Sequence, residues 1–239
     1  MPRNSARVVR RRLVVATGNP GKLREFRALL REFPFDAVSQ GDLGQRTPEE
    51  TGASFLDNAL LKARFAARVS GFAALADDSG LEVDALGGAP GVHSARYFAT
   101  VPGGAARAVA GDPIAVDQAN NETLLHALRG CPPERREARY RCVLVMLEGP
   151  DDPDPLIAEG VWPGVILEAA RGRGGFGYDP LFFLPQLGMS AAELDPADKN
   201  RLSHRGQAMA ALGALLRTRL ARESAAIPPS PPPRSAADR

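Results

Sequence analysis

The sequence predicts an α/β protein built on a mixed sheet, and three observations carry that reading. A short valine-rich run, Leu13–Ala16, passes directly into a turn cluster and a periodic helix. A second, strongly periodic helix from Phe55 is followed by another apolar strand. Two long strand-like runs, Arg139–Leu147 and Leu156–Val161, are joined by a connection too short to hold a crossover helix, so they must pair antiparallel.

The elements follow in order. Residues 1–11 read as a loose basic leader containing Arg10-Arg11-Arg12. Leu13–Ala16 has the length and branching of a buried strand. Asn19 is a good N-cap and Pro20 suits a first helical turn. From about Lys22, Leu23, Phe26, Leu29 and Leu30 form one apolar stripe. Ala37–Ser39 reads as a second strand. The helix that starts after Glu49-Glu50-Thr51-Gly52 buries Phe55, Leu56, Ala59, Leu60, Ala63, Ala66 and Ala67, and places Asn58 and Lys62 together on its polar side. Phe72–Ala76 is an apolar strand ending at Asp77. Leu81–Ala85 alternates like a half-buried strand, and Gly87-Gly88 turns the chain. Residues 98–114 read as a surface loop and Asn121–Leu128 as a helix. Val165–Ala170 reads as a third strand after the long pair. Arg171–Pro180, with four glycines among Phe176, Tyr178 and Asp179, is an irregular loop. A helix from about Gly206 to Arg222 closes a domain of residues 12–223. Ser224–Arg239, with five prolines, has the composition of a disordered tail.

Bulk properties exclude several classes. The 239 residues suffice for a full core, as one large domain or two lobes. Thirty Lys and Arg against 28 Asp and Glu leave no general basic surface for nucleic acid. Two cysteines are too few for a disulfide scaffold, and neither they nor the three scattered histidines have zinc-site spacing. No apolar run approaches the roughly 20 residues that span a membrane, and the run behind the basic leader is too short for a signal peptide. A cytoplasmic location follows as the default.

Chemistry concentrates in a few segments. Asp77-Asp78-Ser79-Gly80 ends an apolar strand. Adjacent carboxylates repel and are costly to desolvate, so the segment suits either a solvated turn or a site for a hard cation. Thr17-Gly18-Asn19-Pro20-Gly21-Lys22 joins a strand to a helix, where backbone N–H groups and Lys22 favour an anion. It lacks Walker A spacing. Glu49-Glu50 suits a helix dipole as well as a metal. The Gly-rich loop 171–180 lets backbone approach a ligand and offers aromatic rings for stacking. Lys199 and Ser203-His204-Arg205 precede the last helix.

In combination, these segments resemble one family. Thr17-Gly18-Asn19-x-x-Lys22, Glu50-Thr51-Gly52 with Asn58-Ala59 and Lys62-Ala63, Ala76-Asp77-Asp78-Ser79-Gly80-Leu81, Gly174-Gly175-Phe176-Gly177-Tyr178-Asp179-Pro180 and Ser203-His204-Arg205-Gly206 occur in the order seen in the inosine/xanthosine triphosphate pyrophosphatases. Gly87–Gly91 and Ser94-Ala95-Arg96-Tyr97 also match. The resemblance runs from about Leu13 to Leu216. It implies a two-lobed fold with a long central nucleotide cleft, a homodimer, and Mg²⁺-dependent hydrolysis of a non-standard purine nucleoside triphosphate to monophosphate and pyrophosphate. By position, Thr17, Gly18, Asn19, Pro20, Gly21 and Lys22 would hold phosphates, with Lys62 as a further phosphate contact. Asp78 would act as general base and, with Glu50, hold the metal, with Ser79 as a neighbouring contact. Phe176, Gly177, Tyr178, Asp179, Lys199, His204 and Arg205 would form the base and sugar side. Neighbouring strand residues point to opposite faces, so Asp77 is expected to support the site through a backbone or lysine contact. The rivals are a pyrophosphatase of the same fold acting on modified pyrimidines or dUTP, a non-catalytic nucleotide-binding regulator, and a structural α/β domain.

Overall fold

The computed structural model describes residues 10–44, 46–102 and 112–226. Its centre is a seven-stranded mixed sheet of order β2-β1-β3-β4-β5-β6-β7. Strand β1 (Arg11–Ala16) leads into helix α1 (Pro20–Leu30), and β2 (Phe35–Ser39) returns beside β1. Helix α2 (Phe55–Ser70) crosses over to β3 (Ala73–Val83), so β1 runs parallel to both its neighbours. Helix α3 (Pro113–Ala127) precedes the long antiparallel strands β4 (Glu137–Leu147) and β5 (Leu156–Ile166). Short strands β6 (Phe182–Leu184) and β7 (Met189–Ser190) extend the sheet, and α4 (Pro196–Leu202) and α5 (His204–Ala226) follow.

Period-two alternation distributes the strand residues between two helical layers. Leu13, Val15, Leu75, Leu144 and Met146 face α1 and α5, packing on Phe26, Leu30, Leu212 and Leu216. Val14, Ala16, Ala74, Ala76, Val143 and Val145 face α2, packing on Phe55, Ala59, Ala63 and Ala66. The alanines of α2 let the helix lie close to the strands. A third core forms beyond the end of this sandwich. There Leu81, Val83, Tyr140, Trp162 and Ile166 pack with Leu124 and Leu128 near the end of α3 and with Phe182 and Leu184 of β6. The two lobes therefore share β3, β4 and β5. Along β3 the first lobe's apolar contacts end at Ala76 and the second's begin at Leu81. The four residues between them are Asp77, Asp78, Ser79 and Gly80.

Several sequence expectations change. The two strands expected on either side of Asp77-Asp78 are one strand of 11 residues, because the aspartates pair with Leu144 and Val143 of β4. A solvated turn is therefore ruled out there. The strand expected at Val165–Ala170 is the end of β5, which continues through Pro163 and Gly164 to Ile166. Helix α3 begins at Pro113, within the segment expected to be a loop, and Gly91–Thr100 forms 3₁₀ turns. Helix α5 begins at His204 and runs to Ala226, past the expected end at Arg222. Strands β6 and β7 and helix α4 are too short to show periodicity. Most of the leader and of the tail, and residues 103–111 of the expected loop, lie outside the described residues.

One glycine sets the position of the last helix. A Cβ on Gly160 of β5 would overlap the His204 carbonyl and the Ala208 amide. Its absence lets the first turn of α5 press on the sheet, which brings His204 and Arg205 to β3 and β4.

Candidate active site

The two aspartates are 2% and 7% exposed and point to opposite faces of β3. On the face of α1 and α5, the Lys22 ammonium donates to Asp77 Oδ2 at 2.6 Å. The Arg205 guanidinium stands 4.0 Å from the same oxygen and donates to Ser79 Oγ at 3.4 Å. Burial pushes the Asp77 carboxyl up, but Lys22 and Arg205 outweigh it and hold its pKa at about 2. Asp77 is a permanent anion that fixes two cations.

On the α2 face, Lys62 Nζ donates to Asp78 Oδ1 at 2.7 Å and to Glu50 Oε1 at 2.8 Å. Asn58 Nδ2 donates to Asp78 Oδ2 at 3.2 Å, and Arg96 reaches Glu50 at 3.4 Å. Burial raises the Asp78 carboxyl above its ordinary value, and the single ammonium it shares with Glu50 does not offset this. Glu50 is less enclosed and has Arg96 as a second cation, so its pKa is lowered despite burial. Burial opposes the charge on Lys62, but Asp78 and Asp77 raise its pKa and keep it an ammonium. Asn58 and Lys62 do share one side of α2, but that side is buried rather than solvated.

Among the described residues no three His, Cys, Asp or Glu side chains converge as a metal cluster. Glu50 and Asp78 do converge on one cationic position, now held by the Lys62 ammonium. Magnesium characteristically takes one or two carboxylates and completes its shell with water and phosphate oxygens. The donor set fits that pattern.

A cleft of about 800 Å³ opens on the other face of β3. At one end stands the N-terminus of α1, where Asn19 Oδ1 accepts from Gly21 N–H at 2.8 Å and Lys22 N–H at 3.2 Å. The turn is tightened by Thr17 Oγ1, which accepts from the Asn19 N–H. Gly18 is exposed, with open space where a Cβ would stand. At the other end stands the loop Phe176–Asp179. Asp179 accepts from the Phe176 N–H at 2.7 Å and from the Lys199 ammonium. Phe176 is 57% exposed, with Lys199 Nζ 4.6 Å from its ring centre. The Tyr178 hydroxyl donates to the Ser94 carbonyl at 2.8 Å. His204 stacks on Tyr140 with ring centres 4.7 Å apart and planes 9° apart. His204 Nδ1 and Arg205 Nε are buried without hydrogen-bond partners among the described residues. Unpaired buried groups in a cleft wall are a common mark of a ligand site.

Of the residues singled out in the sequence, Asn19, Lys22, Ser79, Phe176, Gly177, Tyr178, Asp179, Lys199, His204 and Arg205 line this cleft together. Pro20 opens α1, and Gly18 and Gly21 lie in the same turn without lining the cleft. Glu50, Lys62 and Asp78 form the separate cluster behind β3. Lys22 and Lys62, expected to face phosphate, are each ion-paired with an aspartate. The sequence reading missed Tyr140, Asp117 and Asn120, which also line the cleft. It missed Trp162, which flanks His204 at 6.5 Å. Tyr140 reads as an ordinary strand residue, Trp162 falls just past the expected strand end at Val161, and Asp117 lies where no helix was expected.

Fold and cleft together define a two-lobed α/β protein with a groove that runs from a helix N-terminus bearing Lys22 to a Gly-aromatic loop. The chain belongs to the Ham1 family, whose model matches residues 13–215. A dITP/XTP pyrophosphatase from Methylococcus capsulatus is 57% identical over 209 residues, covering 87% of this chain and 98% of that protein. One from Xanthomonas campestris is 56% identical over 200 residues, covering 84% and 94%. The solved structure of a HAM1 protein from Coxiella burnetii superposes with a TM-score of 0.77 at 42% identity, covering 87% of this chain and 98% of that one.

Proposed function

We propose that this chain hydrolyses non-standard purine nucleoside triphosphates (ITP, dITP and XTP) to the monophosphate and pyrophosphate, removing deaminated purines from the nucleotide pool. One observation carries the reading: a single cleft joins a helix N-terminus bearing Lys22 to a Gly-aromatic loop, with a two-carboxylate cluster across β3. The names of relatives more than half identical over most of their length agree with it.

In this mechanism the triphosphate lies toward α1, where the helix dipole and Lys22 favour negative charge, and reaches the Glu50–Asp78 cluster past the edge of β3 that β1 leaves unpaired beyond Ala76. The base lies between the ring of Phe176 and the His204–Arg205 corner. Water attacks the α-phosphorus and pyrophosphate leaves. Asp78 accepts the water's proton as the general base. Lys62 keeps the Asp78 and Glu50 carboxylates oriented. Glu50 and Asp78 would hold Mg²⁺, which when bound offsets the charge of the phosphate oxygens. Purines with an oxygen at C6 are preferred because the corner offers N–H donors there, and guanine, which shares that oxygen, is rejected at C2, where its amino group would leave buried polar groups unpaired. On the same reading the enzyme works in the cytoplasm as a homodimer, with a nucleotide rather than nucleic acid or membrane as its partner.

The test is pyrophosphate release from ITP, dITP, XTP, dUTP, GTP and ATP, with and without Mg²⁺. Fast, Mg²⁺-dependent release from the first three alone is expected. Equal rates on GTP, a preference for dUTP, or binding without turnover would refute the reading.

A further inference from the structure

Helix α3 turns its polar side inward. Asp117, Asn120 and Asn121 stand at spacings of three and four, and so share one face. Asp117 Oδ2 accepts from the Gly177 N–H at 2.7 Å, and Asn121 Nδ2 donates to the Gly177 carbonyl at 2.9 Å. Two side chains one turn apart thus grip both polar groups of one residue in the middle of the Gly-aromatic loop. Asn120 ties the same face to the opposite wall: its Nδ2 reaches the Ala95 carbonyl at 3.3 Å and its Oδ1 accepts from the Phe98 N–H at 3.0 Å.

The grip bears on the cleft directly. Gly177 has φ +62°, a left-handed conformation that glycine adopts without strain but that two flanking aromatic residues do not enforce. Its neighbours are Phe176, the exposed ring at the cleft mouth, and Tyr178, whose hydroxyl holds the Ser94 carbonyl. Asn121 makes its bond although its own Oδ1 is buried without a partner among the described residues. An arrangement serving stability alone has little reason to retain that unsatisfied acceptor.

We propose that Asp117 and Asn121 are positioning residues for the base-holding loop, fixing the Gly177 peptide so that Phe176 and Asp179 meet the substrate ring in a set orientation. This rests on the proposed function above, since it takes that loop as the base side. Their loss should weaken recognition of the base and leave the phosphate end intact.

The experiment compares wild type, Asp117→Ala, Asp117→Asn and Asn121→Ala. Removing a hydrogen bond to a charged acceptor corresponds to roughly tenfold in affinity. Asp117→Ala should therefore raise KM for dITP about tenfold, with kcat changed by less than about twofold. Asp117→Asn keeps an acceptor oxygen and should restore most of the affinity, and Asn121→Ala should show a smaller rise in KM. Inhibition by inorganic tripolyphosphate, which has no base, should be the same in all four. Unchanged KM in Asp117→Ala, or a parallel loss of kcat and tripolyphosphate affinity, overturns the proposal. Hydrogen exchange at the amides of residues 174–179 provides a readout independent of substrate. If wild type hydrolyses none of the nucleotides, the functional reading fails by itself, while faster exchange in Asp117→Ala still supports the grip and unchanged exchange overturns it.

Discussion

Asp77 and Asp78 are the same residue type, adjacent in one strand and both buried, yet their carboxyl pKa values move in opposite directions. Asp77 has Lys22 to itself and Arg205 nearby. Asp78 shares Lys62 with Glu50. The difference lies in what faces each carboxylate: Lys22 and Arg205 at Asp77, against one ammonium shared with Glu50 at Asp78. Where two cations face one carboxylate, the aspartate is a fixed structural anion. Where carboxylates compete for one ammonium, an aspartate is left able to take a proton or a metal. The strand's alternation therefore separates a scaffold role from a chemical one at adjacent positions.

The largest expected effect tests the chemical side. Asp78→Asn keeps the volume but removes the base and one of the two acceptors that face Lys62 and Asn58, and should lower kcat by about 10²–10⁴-fold with little change in the circular dichroism spectrum. Near-normal pyrophosphate release would mean that the two aspartates do not differ as argued. The next effect tests the scaffold side. Lys22→Met strands a charged Asp77 in the interior, whereas Asp77→Asn leaves a lysine that reaches solvent. Breaking a buried pair from the cationic side should cost about 3 kcal/mol in urea unfolding, and Asp77→Asn clearly less. Equal losses would show that the pair is symmetric and that Asp77 is not the more buried partner in energetic terms.

The same contrast explains how much was legible in the sequence. Strands β1 and β2 and helices α1 and α2 follow from periodicity and caps, because their burial is apolar and one-sided. The Asn19 cap and the antiparallel β4–β5 pair follow similarly. The cleft loop was legible because glycines and aromatic residues together have few structural uses. Strand β3 reads as two strands because Asp-Asp-Ser-Gly satisfies every local rule for a turn, and only pairing with β4 overrides it. Helix α3 was truncated for a related reason: its inward face carries Asp117, Asn120 and Asn121, so an apolar stripe is missing over its first half. Both misreadings fall where polar side chains are buried around the site. The partners of Lys22 and Lys62 were beyond reach, since they lie 55 and 16 residues away in sequence.

The smallest expected effect extends the comparison to a third buried titratable group. His204 lies against Tyr140 and Trp162. Burial first, and then the positive charges of Arg205, Lys199 and Lys22, hold its pKa well below the ordinary 6.5, with Asp77 opposing. Folded His204 thus stays neutral where an unfolded chain takes up a proton. By linkage, the stability present above about pH 6.5 is lost as pH falls toward the folded value. Melting temperature should therefore drop between about pH 7.5 and 5.5, and the drop should be shallower in His204→Phe, which keeps a stacking ring without a titrating nitrogen. Identical slopes in the two proteins would mean that His204 is protonated in the folded state. The positive charge of Lys22 and Arg205 that keeps Asp77 ionised would then not extend across this wall of the cleft.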